Sequence, residues 1–166
     1  MKTITIDVSF ANVAKRNGGP YRDTYGCDAT FASTAPEVQT NGDIDLSQED
    51  DEVEITFVLQ TTSFPMNQQN YNCSYPAQRN ESFWIGRRNG PPPQKGNAPP
   101  FKDVPGPNGP FTVGKGSDGT HAILFDENDD GEGYKYCLVI DFQLGAATKS
   151  IVIDPVIINR QPDQEE

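Results

Sequence analysis

The residues with the sharpest chemical spacing are Asp126, Asn128, Asp130 and Gly131, which follow the D-x-N-x-D-G order of the first half of a calcium loop. Alternate side chains in such a loop present oxygens to a hard cation, and glycine allows the sharp turn. The second half departs from the pattern, because its twelfth position, where a bidentate glutamate belongs, is Cys137. An acidic hairpin turn between two strands is the plainer reading of residues 126–132. Calcium ligation by Asp126, Asn128 and Asp130 is the alternative. His121 is the single histidine. Blue copper needs two histidines and a cysteine, so a type I copper site is excluded. His121 alternates with Ile123 and Phe125, as a packed or edge histidine does, and Cys137 lies among apolar residues, as an inert structural thiol does. Carboxylate pairs are common in a chain with 24 acidic residues, and a glycosidase dyad is a spatial pattern that spacing does not reveal. The sequence therefore assigns no catalytic residue and no cofactor.

A second constellation is basic within an acidic chain. Residues 79–102 carry Arg79, Arg87, Arg88, Lys95 and Lys102 against Glu81 alone, with Trp84 just before the arginines. Trp84, Arg87 and Arg88, with Tyr71, Tyr75 and Phe101, are the residue types that dominate interface energetics, and they form the candidate interaction surface. In the alternative reading Phe83 and Ile85 belong to the core, Trp84 is partly exposed and the arginines neutralise nearby acids. Residues 90–110 hold eight prolines and four glycines in 21 positions. Such a segment makes neither helix nor ladder, so 88–110 is expected to be a long loop, and the whole of 64–110, with one strand around 83–86, is expected to be ordered and to lie in an interface, with a second copy of the chain as partner.

The elements that must carry these residues are strands. Ile4, Ile6, Val8 and Phe10 alternate with polar residues, as do Val53, Ile55, Phe57 and Leu59, and Tyr134, Tyr136, Leu138, Ile140 and Phe142. A last strand or strand pair runs through 149–158, and weaker candidates lie at 22–31, 82–86, 111–114 and 120–126. Residues 11–16 and 143–148 could each make one helical turn. Asn-Gly pairs at 17–18, 41–42, 89–90 and 108–109 supply turns. Many short strands with turns between them read as an all-β sandwich or barrel, antiparallel because the alternation leaves one face wet, and an antiparallel β-sandwich is the fold expected. Residues 1–160 read as a single domain and 161–166 as an acidic tail.

A formal net charge of −11 disfavours nucleic acid and anionic membrane surfaces as partners. The start of the chain alternates apolar and polar residues where a signal peptide needs a continuous apolar run, and no stretch is apolar enough to span a bilayer. A cytoplasmic protein is expected, with Cys27, Cys73 and Cys137 as reduced thiols.

The closing segment, Tyr134 to Phe142 followed by Ser150-Ile-Val-Ile-Asp154-Pro155-Val-Ile-Ile158-Asn159-Arg160, resembles the bacterial DP-EP family, whose members end on a D-P pair and an I-I-N-R-P-like string. The resemblance implies an immunoglobulin-like or cupredoxin-like sandwich without a copper site, and it brings no catalytic residues. A looser similarity is to bacterial inclusion-body proteins. Pro155 lacks a ladder donor and is expected at an edge or bulge, with Asp154 accepting the backbone bonds freed there. The function expected is a non-enzymatic binding or interaction module. The alternatives are a calcium-binding protein and a self-assembling structural protein.

Overall fold

Strict alternation becomes strict burial. In strand β1 (Lys2–Lys15) Ile4, Ile6 and Val8 are fully buried while Thr3, Thr5 and Asp7 face solvent. In the computed structural model, which describes residues 1–100 and 110–160, β1 is followed by β2 (Tyr25–Ala32), β3 (Ile44–Asp45), β4 (Val53–Leu59), β5 (Ser63–Met66) and β6 (Gln69–Ser74). A 3-10 turn (Arg79–Ser82) leads into β7 (Phe83–Arg87), and then come β8 (Phe111–Val113), β9 (His121–Asp126), β10 (Gly133–Leu144), β11 (Ala147–Ile153) and β12 (Val156–Ile158). The protein is all-β, and none of the described helices is long and apolar enough to cross a membrane.

The sheet is mixed. Its main path runs β3-β12-β10-β11-β2-β1-β4-β9-β8, with β6 and β7 both paired to β10. Most pairs are antiparallel, as expected, but β1 runs parallel to β4, with Ile4 opposite Ile55 and Ile6 opposite Phe57. Shorter parallel contacts join β11 to β2 and β12 to β3. The purely antiparallel expectation fails because period-two alternation reports which face is wet and says nothing about strand direction. The sheet folds back on itself, so that the Phe57 ring of β4 meets Phe83 of β7 at 5.5 Å and Tyr136 of β10 at 5.6 Å.

The two segments read as single helical turns are strand. Residues 11–15 continue β1 past a bulge at Asn12, whose φ is +58°. Residues 143–148 form the hairpin joining β10 to β11, with Gly145 at φ +64°. The β5–β6 hairpin corrects the expectation that 64–110 holds a single strand at 83–86, and it carries no Asn-Gly signal. Asn67 and Gln68 take φ of +52° and +65° between the paired Met66 and Gln69, a turn normally built from glycine. Pro65 lies in β5, whose one strand partner among the described residues is β6, so its missing N–H breaks no inner ladder.

At Gly42 the Asn-Gly signal does hold. Its φ is +94°, an added Cβ would lie 2.8 Å from the Phe31 ring, and its carbonyl accepts the buried Tyr136 hydroxyl at 2.6 Å. Gly42→Ala should therefore lower unfolding free energy by about 2–4 kcal/mol through left-handed strain and overpacking. Gly18→Ala, with nothing within 4 Å of the added carbon, should change it by less than about 0.5 kcal/mol. Denaturant midpoints of the two variants check the contrast, and equal effects would contradict it.

Candidate functional site

The residues read as one interaction surface are dispersed. Tyr75 is core, with its hydroxyl donating to the Phe57 carbonyl at 3.0 Å. Tyr71 is half-buried on the β5–β6 hairpin and stacks on Phe64. Arg87 and Arg88 are exposed at the far end of β7 and line a 460 Å³ pocket with Gly90, Gly131, Glu132, Gly133 and Ile158, and Arg87 pairs with Glu132 at 3.5 Å. Phe101 and the tail 161–166 lie outside the described residues. Trp84 is buried on the opposite face of β7 from Phe83 and Ile85, packed with Tyr21, Cys137, Val139 and Val152.

The described part of the proline-rich segment covers this protein's own sheet. The Asn97 carbonyl accepts the Ile85 N–H at 3.0 Å, and Pro93 and Pro99 are buried. Gly86 leaves room for the Pro93 ring, which would stand 3.4 Å from an added Cβ.

The two motifs singled out separately in the sequence fold against each other. Asn128 is buried at φ +55°, and its amide nitrogen donates to the carbonyls of Leu46, Glu49 and Asp51 at 3.3, 3.0 and 3.1 Å. Its side-chain oxygen, which a calcium loop would aim at the ion, accepts the Arg160 N–H at 2.7 Å. Asn159 donates its backbone N–H to the Glu132 carbonyl and its side-chain amide to Asp130, while the Arg160 carbonyl accepts the Gly131 N–H. Ile158 accepts the Leu46 N–H at 2.7 Å. Residues 126–132 are thus not a hairpin turn but a crossover linking β9 to β10, which do not pair with each other. Among the described residues no group of three or more His, Cys, Asp and Glu is arranged to hold a metal ion.

Pro155 interrupts β11 and β12 without shifting register on β10, where Ile153 faces Leu138 and Val156 faces Lys135. Its carbonyl still accepts the Tyr136 N–H at 3.0 Å, so one bond of a reciprocal pair is missing. The Val156 N–H is accepted by Asp43 at 3.0 Å, and Asp154 accepts no hydrogen bond from the described residues. The acceptor expected from the neighbouring residue comes from across the fold.

The three cysteines are free. Burial pushes the Cys27 and Cys73 thiols up to about 11 and the Cys137 thiol up to about 12. His121 shares Asp118 with the turn before β9, its Nδ1 lying 3.1 Å from the carboxylate.

A concave surface unread in the sequence lies on the outer face of β10 and β11. Three adjoining cavities of about 250, 270 and 230 Å³ share Trp84, Lys95, Thr148 and Ser150 between the first two, and Ala77, Asp141 and Thr148 between the first and third. Register makes the floor. Val139 faces Val152, Asp141 faces Ser150 and Gln143 faces Thr148, so the outer face grades from apolar to polar along β10. Ser150 Oγ donates to Asp141 Oδ1 at 2.8 Å, and Gln143 donates to Thr148 at 2.7 Å. The 3-10 turn supplies Glu81, whose carboxylate accepts the Trp84 indole N–H at 3.1 Å. The proline-rich segment supplies Lys95. Burial raises the Asp141 carboxyl above the usual aspartate range, with Ser150 and Lys95 acting against it and Glu81 with it. A legible signal was present. β10 carries apolar residues on both faces, so its second face is also covered, and Asp141 is the carboxylate within it.

The chain matches no family model, and no curated protein is significantly similar to it.

One buried carboxyl gives a pH signature. Asp126 is 1% exposed and its Oδ2 has no partner among the described residues. Burial lifts it to about 7, with the Asn128 N–H and the Asn159 amide acting against the rise. Between about pH 4 and pH 7 the native state holds a proton that the unfolded chain has released, so this group's contribution to stability declines as pH rises through that window. In Asp126→Asn the amide keeps an acceptor for Asn128 and stays neutral. The variant should match the parent near pH 4 and exceed it by a few kcal/mol at pH 8. Unfolding free energies across that range check this, and a difference independent of pH would contradict it.

Proposed function

We propose that this protein is a non-enzymatic binding module whose ligand lies in the furrow across the outer face of β10 and β11. The observation that carries the reading is Asp141. It is a half-buried carboxylate fixed by Ser150 through one oxygen, while its second oxygen accepts no bond from the described residues and the cavity is lined by the same side chain. Polar groups held in place but left without protein partners at the floor of a concave surface are what a ligand site needs.

Other features support binding over chemistry. His121 is not among the residues lining the furrow, and the three thiols are held protonated by burial. Ser150 has the Asp141 carboxylate as its hydrogen-bond partner and no imidazole, unlike a serine nucleophile of the serine–histidine type. The similarity of the closing segment to the DP-EP family, with no catalytic residue attached, fits the same reading, as does the expected sandwich layout with ligands carried on one face and its loops.

Trp84 is the single tryptophan of the chain and lines two of the three cavities, so it reports on the site directly. A mixed ligand set of peptides, nucleosides, amphiphiles and oligosaccharides should contain members that shift the Trp84 indole N–H resonance saturably, and Asp141→Asn should weaken those members. Ligands that bind without moving this resonance would place the site elsewhere.

A further inference from the structure

Resting on the binding-module reading, we propose that the furrow takes a neutral, hydroxyl-rich chain, an unbranched oligosaccharide. Charge favours a neutral ligand. The lining of the three cavities contains three acids, Asp23, Glu81 and Asp141, and three bases, Arg22, Lys95 and Lys149. In a protein of formal net charge −11 this is a locally balanced strip. A ligand strongly charged in either sense meets like charge along it, which selects against polyanions and polycations.

Hydrogen-bond type favours a hydroxyl-rich one. Asp141 Oδ2 and the second oxygen of Glu81 are acceptors with no bond from the described residues, and the Lys95 ammonium donates none to them. Ser150, Thr148 and Gln78 add groups that both donate and accept. A sugar hydroxyl also does both, so a row of hydroxyls satisfies carboxylate, ammonium and amide in turn. A hydrocarbon ligand would leave the half-buried Asp141, Glu81 and Ser150 unpaired. Ala77 is the exposed apolar residue of the lining, and Trp84, Val139 and Pro76 are buried beneath the surface and give the floor its apolar backing.

Shape and stiffness favour an unbranched chain. Two of the cavities follow β10 and the other opens beside them over β11 and the 20–24 turn, and from Val139 to Gln143 the strand advances about 13 Å, which suits an extended chain over a single ring. The bonds Ser150 to Asp141 and Gln143 to Thr148 hold the floor before a ligand arrives, so little ordering is left to cost affinity.

The test uses the full chain and follows Trp84 fluorescence and its indole resonance. The probes are hexamers of β-1,4-linked glucose, xylose, mannose and N-acetylglucosamine, with α-1,4-linked glucose. Hexagalacturonate and hexalysine are the charged controls. At least one neutral hexamer should saturate the signal and bind more tightly than both charged controls. Asp141→Asn and Lys95→Gln should each weaken it about tenfold or more with folding unchanged. Arg88→Ala, in the remote pocket, should leave it unaltered. If no neutral hexamer acts but peptides or other ligands move Trp84 and lose affinity in Asp141→Asn, the saccharide proposal falls and the binding module stands. If no ligand of any class moves Trp84, both fall. Release of new reducing ends that Asp141→Asn abolishes would overturn the non-enzymatic reading and keep the ligand class.

Discussion

The pairing register of β10 is the constraint on which the rest of the structure depends. This strand has β11 and β12 along one edge and β7 and β6 along the other. Because side chains alternate, register assigns Tyr134, Tyr136, Leu138, Ile140 and Phe142 to the core and Cys137, Val139 and Asp141 to the outer face. A slip of one residue would exchange the two sets, burying Asp141 among aromatics and exposing Tyr136. Core burial therefore enforces the geometry of the furrow, and the site inherits its precision from aromatic packing on the side of the strand that no ligand touches.

The strand's ends are held by polar groups that work at long range. Tyr136 anchors the Gly42 turn through its hydroxyl, and Asp43 in the same turn accepts the Val156 N–H beyond the Pro155 interruption. At the entry to β10, Asn128 ties the 46–51 loop to Arg160 through both ends of one amide. Buried polar groups are costly unless satisfied. A side chain that satisfies three carbonyls and one N–H at once explains why a loop so rich in acids can sit against the domain.

Much of the fold is legible in the sequence because most strands have one wet face. The alternation in 53–60 and 134–142 maps onto β4 and β10 with small changes at the ends, and that in 3–10 onto the first part of β1, which runs on to Lys15. The β5–β6 hairpin is illegible for a physical reason. Asn67 and Gln68 adopt positive φ without glycine, and Pro65 argues against a strand unless the strand is known to be an edge. Strand direction is equally hidden, since β1 alternates in the same way beside its parallel neighbour β4 as beside its antiparallel neighbour β2. The site was the least legible part. Residue type singled out Trp84, Tyr75 and the arginines, but type does not reveal which face of β7 a tryptophan occupies or that Tyr75 is core. Glu81, Lys95, Asp141 and Ser150 come together only through the β10–β11 register and the return of the proline-rich segment over β7.

The central claim is that this register places Asp141 and Ser150 opposite each other on the outer face while Ile140 and Ile151 meet in the core. Isotope-edited NOE spectra of the full chain test it most directly. The account predicts side-chain contacts between Val139 and Val152 and between Asp141 and Ser150, with Ile140 and Ile151 both contacting core residues. Contacts displaced by one residue, such as Val139 with Ile151 or Asp141 with a core aromatic ring, would contradict it and remove the furrow with it.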